Sequence, residues 1–200
     1  MRRPLAIRWV VLAVAAGIAL PLGVSAAKAP RHPRVAVETS VGRFTLELDM
    51  ERAPRTVANF LAYVGDGFYD GLIFHRVIRE TLIQGGGYTP RMEPRATRAA
   101  IPSEADRALP NLRYTIGMAR GLDPGGATSQ FYVNLRDNPD LDARAGERSG
   151  YCAFGRVIEG TAVVDSIGRV RAAMRAGRWQ QPVEPVVIVS MHRLDDDSAQ

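Results

Sequence analysis

Apolar positions divide the chain into one long uninterrupted run and a series of short, punctuated ones. The long run is residues 9–24 (WVVLAVAAGIALPLGV), free of charge, with Arg2, Arg3 and Arg8 before it and Ser25-Ala26-Ala27 after it. The short runs begin at residue 35. Residues 35–39 (VAVET) and 43–48 (RFTLEL) carry the alternating, β-branched pattern of strands, and Ser40-Val41-Gly42 between them predicts a three-residue hairpin loop with Gly in a left-handed position. Pro54 suits the first turn of a helix, where its missing N–H costs nothing. Val57, Phe60, Leu61 and Val64 follow at the i, i+3, i+4, i+7 spacing of one helix face, and Gly65 and Gly67 stop it. Further short runs lie at 72–78, 114–119, 130–135, 152–157 and 186–192, with a second short helix expected over 161–167 and Gly168 as its stop. Many short strands and only two helices predict a mainly β fold, an antiparallel barrel that closes and so leaves no free edge. No repeat or second composition regime follows residue 34, so one domain is expected.

The long run has the three-part pattern of a secretory signal peptide, basic, apolar, then small. At 16 residues with Pro21 inside, it falls short of the roughly 20 needed to span a bilayer. Cleavage is expected after Ala26, with Ala27 and Ala29 as the other compatible points. The expected organisation is a signal peptide over 1–26, a flexible lead-in over 27–34, a folded domain over 35–194 and a polar tail over 195–200. Export places the mature protein in the periplasm, or outside the cell, with no membrane association after cleavage.

Composition narrows the chemistry. Of 200 residues, 46% are hydrophobic and 24% charged, an ordinary globular mixture. A single cysteine excludes an internal disulfide framework, and three histidines leave little for a metal site. The formal charge of +5 rests on 26 basic against 21 acidic residues; removing Arg2, Arg3 and Arg8 with the leader reduces the surplus to two. No run of five like charges remains, so nucleic-acid binding is not expected.

The unusual segments are Phe74-His75-Arg76-Val77-Ile78, Gln84-Gly85-Gly86-Gly87, Gly117-Met118-Ala119-Arg120 and Ala127-Thr128-Ser129-Gln130-Phe131-Tyr132. They offer no activated nucleophile: no acid is placed behind His75 and there is no G-x-S-x-G elbow. The glycine triplet lacks the following Lys-Ser or Lys-Thr of a phosphate loop. Asp140 and Asp142 read as loop acids. What remains is a guanidinium beside an apolar surface, suited to hydrogen bonding a neutral amide.

These segments, with Ala153-Phe-Gly-Arg-Val-Ile-Glu-Gly160 and Glu104-Ala-Asp106, occur in the order found in cyclophilin-type peptidyl-prolyl cis-trans isomerases, and the chain most resembles the bacterial periplasmic members over roughly residues 35–193. The resemblance implies a closed eight-stranded antiparallel barrel capped by two helices, and catalysis of X–Pro rotation in exported proteins during folding. That rotation faces a barrier of roughly 18–20 kcal/mol because the amide loses resonance as it twists. Unaided it takes on the order of 10–100 s. In the twisted state the prolyl nitrogen is pyramidal and can accept a hydrogen bond. By resemblance, Arg76 donates that bond and Gln84 holds the guanidinium. The backbone around Arg120 holds the substrate chain. The proline ring enters a pocket of Leu82, Tyr132 and Leu141, and Ala119 and Gln130 line the approach. Thr81 and Tyr151 complete the binding residues. No cofactor or metal is implied; the partners are proline-containing segments of exported proteins, and the protein is expected to be a monomer.

The sequence departs from the family at several of these positions. Arg79-Glu80-Thr81-Leu82-Ile83-Gln84 stands where P-G-F-M-I-Q is usual, so Thr81 replaces a pocket phenylalanine and Leu82 a methionine. Tyr132 stands for phenylalanine, Tyr151 for histidine, and Asp140 for a tryptophan that contacts cyclosporin in some members, which implies weak binding of that drug. The altered pocket leaves a second reading, a weakly active or inactive module that grips proline segments. His75 is expected to be structural, Phe74, Phe131 and Phe154 to be core, Cys152 to be a buried thiol, and the charges over 136–148 to form a solvated loop.

Overall fold

The computed structural model describes residues 32–121, 123, 125–144, 150–175 and 179–194. The expected signal peptide, most of the lead-in and the polar tail lie outside the described residues.

Eight strands close into an antiparallel barrel in the order β1-β10-β3-β4-β6-β5-β7-β2. These are β1 (Arg34–Thr39), β2 (Gly42–Leu48), β3 (Ile73–Ile78), β4 (Leu82–Gly85), β5 (Thr115–Met118), β6 (Phe131–Asn134), β7 (Ala153–Glu159) and β10 (Val186–Leu194). A hairpin of β8 (Ala172–Arg175) and β9 (Trp179–Pro182) forms a separate two-stranded sheet. The helices are α1 (Pro54–Gly65) and α2 (Thr161–Arg169).

Two rungs of the sheet set what points where. Val77, Ile83, Val133 and Ile116 are successive cross-strand partners over β3, β4, β6 and β5, and all four are buried in the core cluster. The neighbouring rung of the same strands is Arg76, Gln84, Tyr132 and Gly117. Because side chains alternate across a strand, this second rung faces outward from the barrel. The register of β3 against β4 slips between Phe74 and Arg76. A one-residue slip exchanges the two faces, so Phe74 enters the core while Arg76, two positions on, faces out.

Helix α1 buries Phe60, whose ring lies 5.8 Å from Phe131 and 5.3 Å from Phe154. Phe74, Phe131 and Phe154 are fully buried, as expected of core residues. The helix ends in a Schellman motif: Phe68 N–H reaches the Tyr63 carbonyl at 3.0 Å, Gly67 N–H the Val64 carbonyl at 3.1 Å, and Gly67 has φ +61°. Its N-terminus is capped at long range. Ala53 supplies no side-chain cap, and the buried Glu104 carboxylate accepts Thr56 N–H at 2.9 Å, Thr56 Oγ1–H at 2.8 Å and Arg55 N–H at 3.2 Å.

Three local expectations are corrected. Thr39 pairs with Gly42, so the first hairpin loop has two residues, and Gly42 has φ +133°, outside the left-handed helical region. Gly168 does not stop α2, which runs to Arg169; a Cβ there would lie 2.5 Å from Leu135 Cδ1, so the glycine serves close packing. Residues 82–85 form a strand that the hydrophobic pattern did not reveal.

Candidate active site

A cavity of about 400 Å3 opens on the outward face of β3, β4 and β6. The strands contribute Arg76, Ile78, Leu82, Gln84 and Tyr132. Thr81 comes from the β3–β4 turn, Ala119 and Arg120 from the end of β5, and Leu141 and Tyr151 from the segment between β6 and β7. Of the sequence-expected residues, only Gln130 is outside the cavity wall.

Arg76 and Gln84 are direct cross-strand partners, and Arg76 Nη1–H donates to Gln84 Oε1 at 3.1 Å. Gln84 Nε2–H in turn donates to Gln130 Oε1 at 2.9 Å. The chain of amides therefore fixes the guanidinium from behind while Arg76 remains half-buried at the cavity. His75, next to it, is 1% exposed, with its ring 4.8 Å from Tyr88. Burial, aided by the Arg76 charge, lowers its pKa to about 4, so the ring is neutral at ordinary pH.

The apolar part is built from Leu82, Tyr132 and Leu141. Tyr132 is 3% exposed, and its hydroxyl is turned inward to donate to Asn111 Oδ1 at 2.5 Å. Its ring lies over Gly117, where a Cβ would come within 2.2 Å of the hydroxyl oxygen. Burial holds the phenol well above its usual pKa. Asn111 is itself 1% exposed and donates from Nδ2 and its backbone N–H to Asp142 Oδ1, at 2.8 and 2.7 Å. Asn134 Nδ2–H reaches Asn111 Oδ1 at 3.2 Å, and Asn138 Nδ2–H reaches Asn134 Oδ1 at 2.8 Å and the Thr81 carbonyl at 3.0 Å. A buried polar network thus ties the tyrosine, the β3–β4 turn and the loop after β6 together, and each amide in it has partners. At the rim, the Arg120 guanidinium lies 4.6 Å from the Tyr151 ring centre, and Tyr151 meets Tyr132 edge to face at 6.1 Å.

Sequence reasoning missed Ile78, Arg136 and Asn138, all of which line the cavity, while Asp140, expected by resemblance at the position of the cyclosporin-contacting tryptophan, lines it too. Ile78 is two positions after Arg76 on the same face, so strand alternation could have found it. The other two follow β6 in a segment without periodicity, and Asn111 behind the wall sits in a loop with no motif. Arg136 was expected in a solvated loop; it is exposed, yet it forms part of the cavity wall.

The barrel is similar to that of a cyclophilin-type peptidyl-prolyl cis-trans isomerase from Cryptosporidium parvum, with a TM-score of 0.69 over 82% of this chain and 99% of that one at 22% identity. It is a cyclophilin barrel. The family model "Cyclophilin type peptidyl-prolyl cis-trans isomerase/CLD" matches residues 34–193, and the chain belongs to that family. It is 51% identical over 158 residues to peptidyl-prolyl cis-trans isomerase cyp18 of Streptomyces antibioticus, covering 78% of this chain and 95% of that protein. It is 44% identical over 161 residues to peptidyl-prolyl cis-trans isomerase B of Escherichia coli K12, covering 78% and 97%. The protein is a cyclophilin-type isomerase acting on proline-containing peptide segments.

Proposed function

We propose that Arg76 catalyses X–Pro rotation in exported polypeptides by donating a hydrogen bond to the prolyl nitrogen as it becomes pyramidal. The observation that carries this reading is the Arg76–Gln84–Gln130 chain at the edge of an apolar cavity. The planar amide nitrogen is a poor acceptor because its lone pair is delocalised, so the bond forms only as resonance is lost. It therefore favours the twisted state over both planar ones and lowers the barrier equally in each direction. Gln84 acts as a positioning residue, holding the guanidinium so that little reorganisation is needed at the moment of rotation. The proline ring occupies the Leu82, Tyr132 and Leu141 surface. Ala119 and the backbone at Arg120 line the path of the substrate chain, and Tyr151 closes the rim beside Arg120.

Export rests on the leader pattern, and the mature protein works as a monomer in the periplasm. Among the described residues no helix is long and apolar enough to cross a membrane. Thr81 is half-buried where an aromatic wall is usual, so the proline ring is less enclosed and turnover is expected to be slower than with a phenylalanine there. The exposed Asp140 carboxylate on the wall disfavours cyclosporin, an apolar macrocycle.

The test is NMR exchange on a short X–Pro peptide, which needs no coupled protease. Arg76→Ala is expected to lower the catalysed rate by about 10²–10³, the usual cost of losing one transition-state donor. An Arg76→Ala enzyme as fast as wild type would remove Arg76 from the mechanism. Wild-type exchange no faster than the uncatalysed rate would leave a proline-segment binder.

A further inference from the structure

A second cavity, of about 410 Å3, adjoins the first, and Arg136 belongs to the walls of both. Its apolar floor is Leu135 of the segment after β6 against Gly168 of α2. Its rim is strongly basic: Arg79 from the β3–β4 turn, Arg113 from the approach to β5, Arg136, and Arg169 at the end of α2. Two carboxylates share this wall, Glu80 and Asp165. Asp165 is already engaged, with Arg113 Nη2 at 3.1 Å, Arg169 Nη2 at 3.7 Å and the Tyr114 hydroxyl at 3.1 Å. Asp137, nearby in sequence, accepts the Arg113 backbone N–H at 2.8 Å. Arg79 and Arg136 are exposed, and among the described residues neither guanidinium has a carboxylate or carbonyl partner. Over both cavities together, six arginines face three carboxylates.

The geometry points to this second cavity as an anionic subsite of the substrate groove, one that takes Asp or Glu side chains on the segment flanking the isomerised proline. The inference rests on the isomerase reading of the adjoining cavity. Two unengaged guanidiniums beside an apolar floor suit a carboxylate carried on a short methylene stem. Arg136 is common to the walls of both cavities, so a substrate chain leaving the proline pocket on that side meets Arg136 and then Arg79 within a few residues, at roughly 3.3 Å per extended residue. The barrel thus prefers acidic clients, whereas a site recognising proline alone would be indifferent to flanking charge.

The test uses two X–Pro peptides, one with flanking glutamates and one with glutamines at the same positions, each titrated into the labelled full-length protein and followed by NMR. Shift changes give Kd without any turnover, and exchange spectra on the same samples give the isomerisation rate. The glutamate peptide is expected to bind about fivefold more tightly at low salt, with the difference closing near 0.5 M salt because exposed pairs are screened. Arg79→Gln is expected to reduce the Glu-to-Gln preference, and Arg79→Gln with Arg136→Gln to abolish it. Equal Kd for the two peptides, or a preference unchanged in the double variant, overturns the subsite. A glutamate preference without any catalysed exchange keeps the subsite and refutes the isomerase mechanism; exchange without a preference does the reverse.

Discussion

His75 lies in the wall that carries Arg76, and its burial couples fold stability to acidity. The folded protein resists protonating the ring until about pH 4, whereas an unfolded histidine takes up a proton near pH 6.5. Between those values the unfolded chain binds more protons, so stability falls as pH falls. The contribution is fully present above about pH 6.5 and lost by about pH 4, amounting to about 3 kcal/mol. Urea titrations at pH 7 and pH 4.5 should show the midpoint moving down, and the His75 ring resonances of the folded protein should stay constant across most of that window. A His75 titrating near 6.5 in the folded state would refute the assignment. At this scale the site was partly legible beforehand. Arg76, Gln84, Leu82 and Tyr132 stand in recognisable motifs; one outward rung of the sheet brings Arg76, Gln84 and Tyr132 together, and Leu82 pairs with Ile78 two positions further along β3. Arg136, Asn138 and Asn111 were not legible, because loop residues with no period acquire their place only from tertiary contacts.

Helix α1 illustrates how an element can depend on a distant residue. Its own sequence provides Pro54 at the start and a glycine-based stop, yet no cap for the first amides. Glu104, 48 residues beyond Thr56, supplies it with three hydrogen bonds. Glu104→Ala should destabilise the protein by about 1–3 kcal/mol, read as a lower denaturant midpoint, since it strands buried donors. Glu104→Gln, which keeps acceptor capacity, should cost less; equal midpoints for wild type and Glu104→Ala would show that water replaces the cap. Seven strands of the barrel announce themselves as apolar runs. β4 did not, because Leu82–Gly85 offers only two apolar residues before a glutamine and a glycine. The β8–β9 hairpin escaped too: β8 is mostly exposed, so no buried face imposed alternation on its sequence. Gly42 and Gly168 mislead because a glycine in sequence looks like local punctuation. A Cβ at position 42 would fall 2.8 Å from Val163 Cγ2, so there, as at Gly168, the glycine also makes room for a neighbour.

For the molecule as a whole, the lone cysteine reports on the integrity of the barrel. Cys152 is 7% exposed and contacts Thr56 Oγ1 at 3.5 Å, and burial pushes its thiol up to about 11. Only the thiolate reacts readily with disulfide reagents. Modification of the native protein at pH 8 should therefore be slow and should accelerate across the same denaturant range as the loss of tertiary structure. Rapid labelling of the folded protein, at the rate of a free thiol, would contradict the buried placement.

The closed barrel has one more consequence, for traffic between this protein and the chains it handles. An incompletely folded polypeptide presents unpaired backbone N–H and C=O groups, which readily zip onto any strand that offers matching ones. Every strand of the barrel has a neighbour on both sides. A visitor to the Arg76 cavity therefore meets side chains and the short stretch of backbone at Arg120, where an open sheet would offer a whole ladder. It can dock a proline, turn and depart without unpicking a row of main-chain bonds, so capture and release stay local to a few residues.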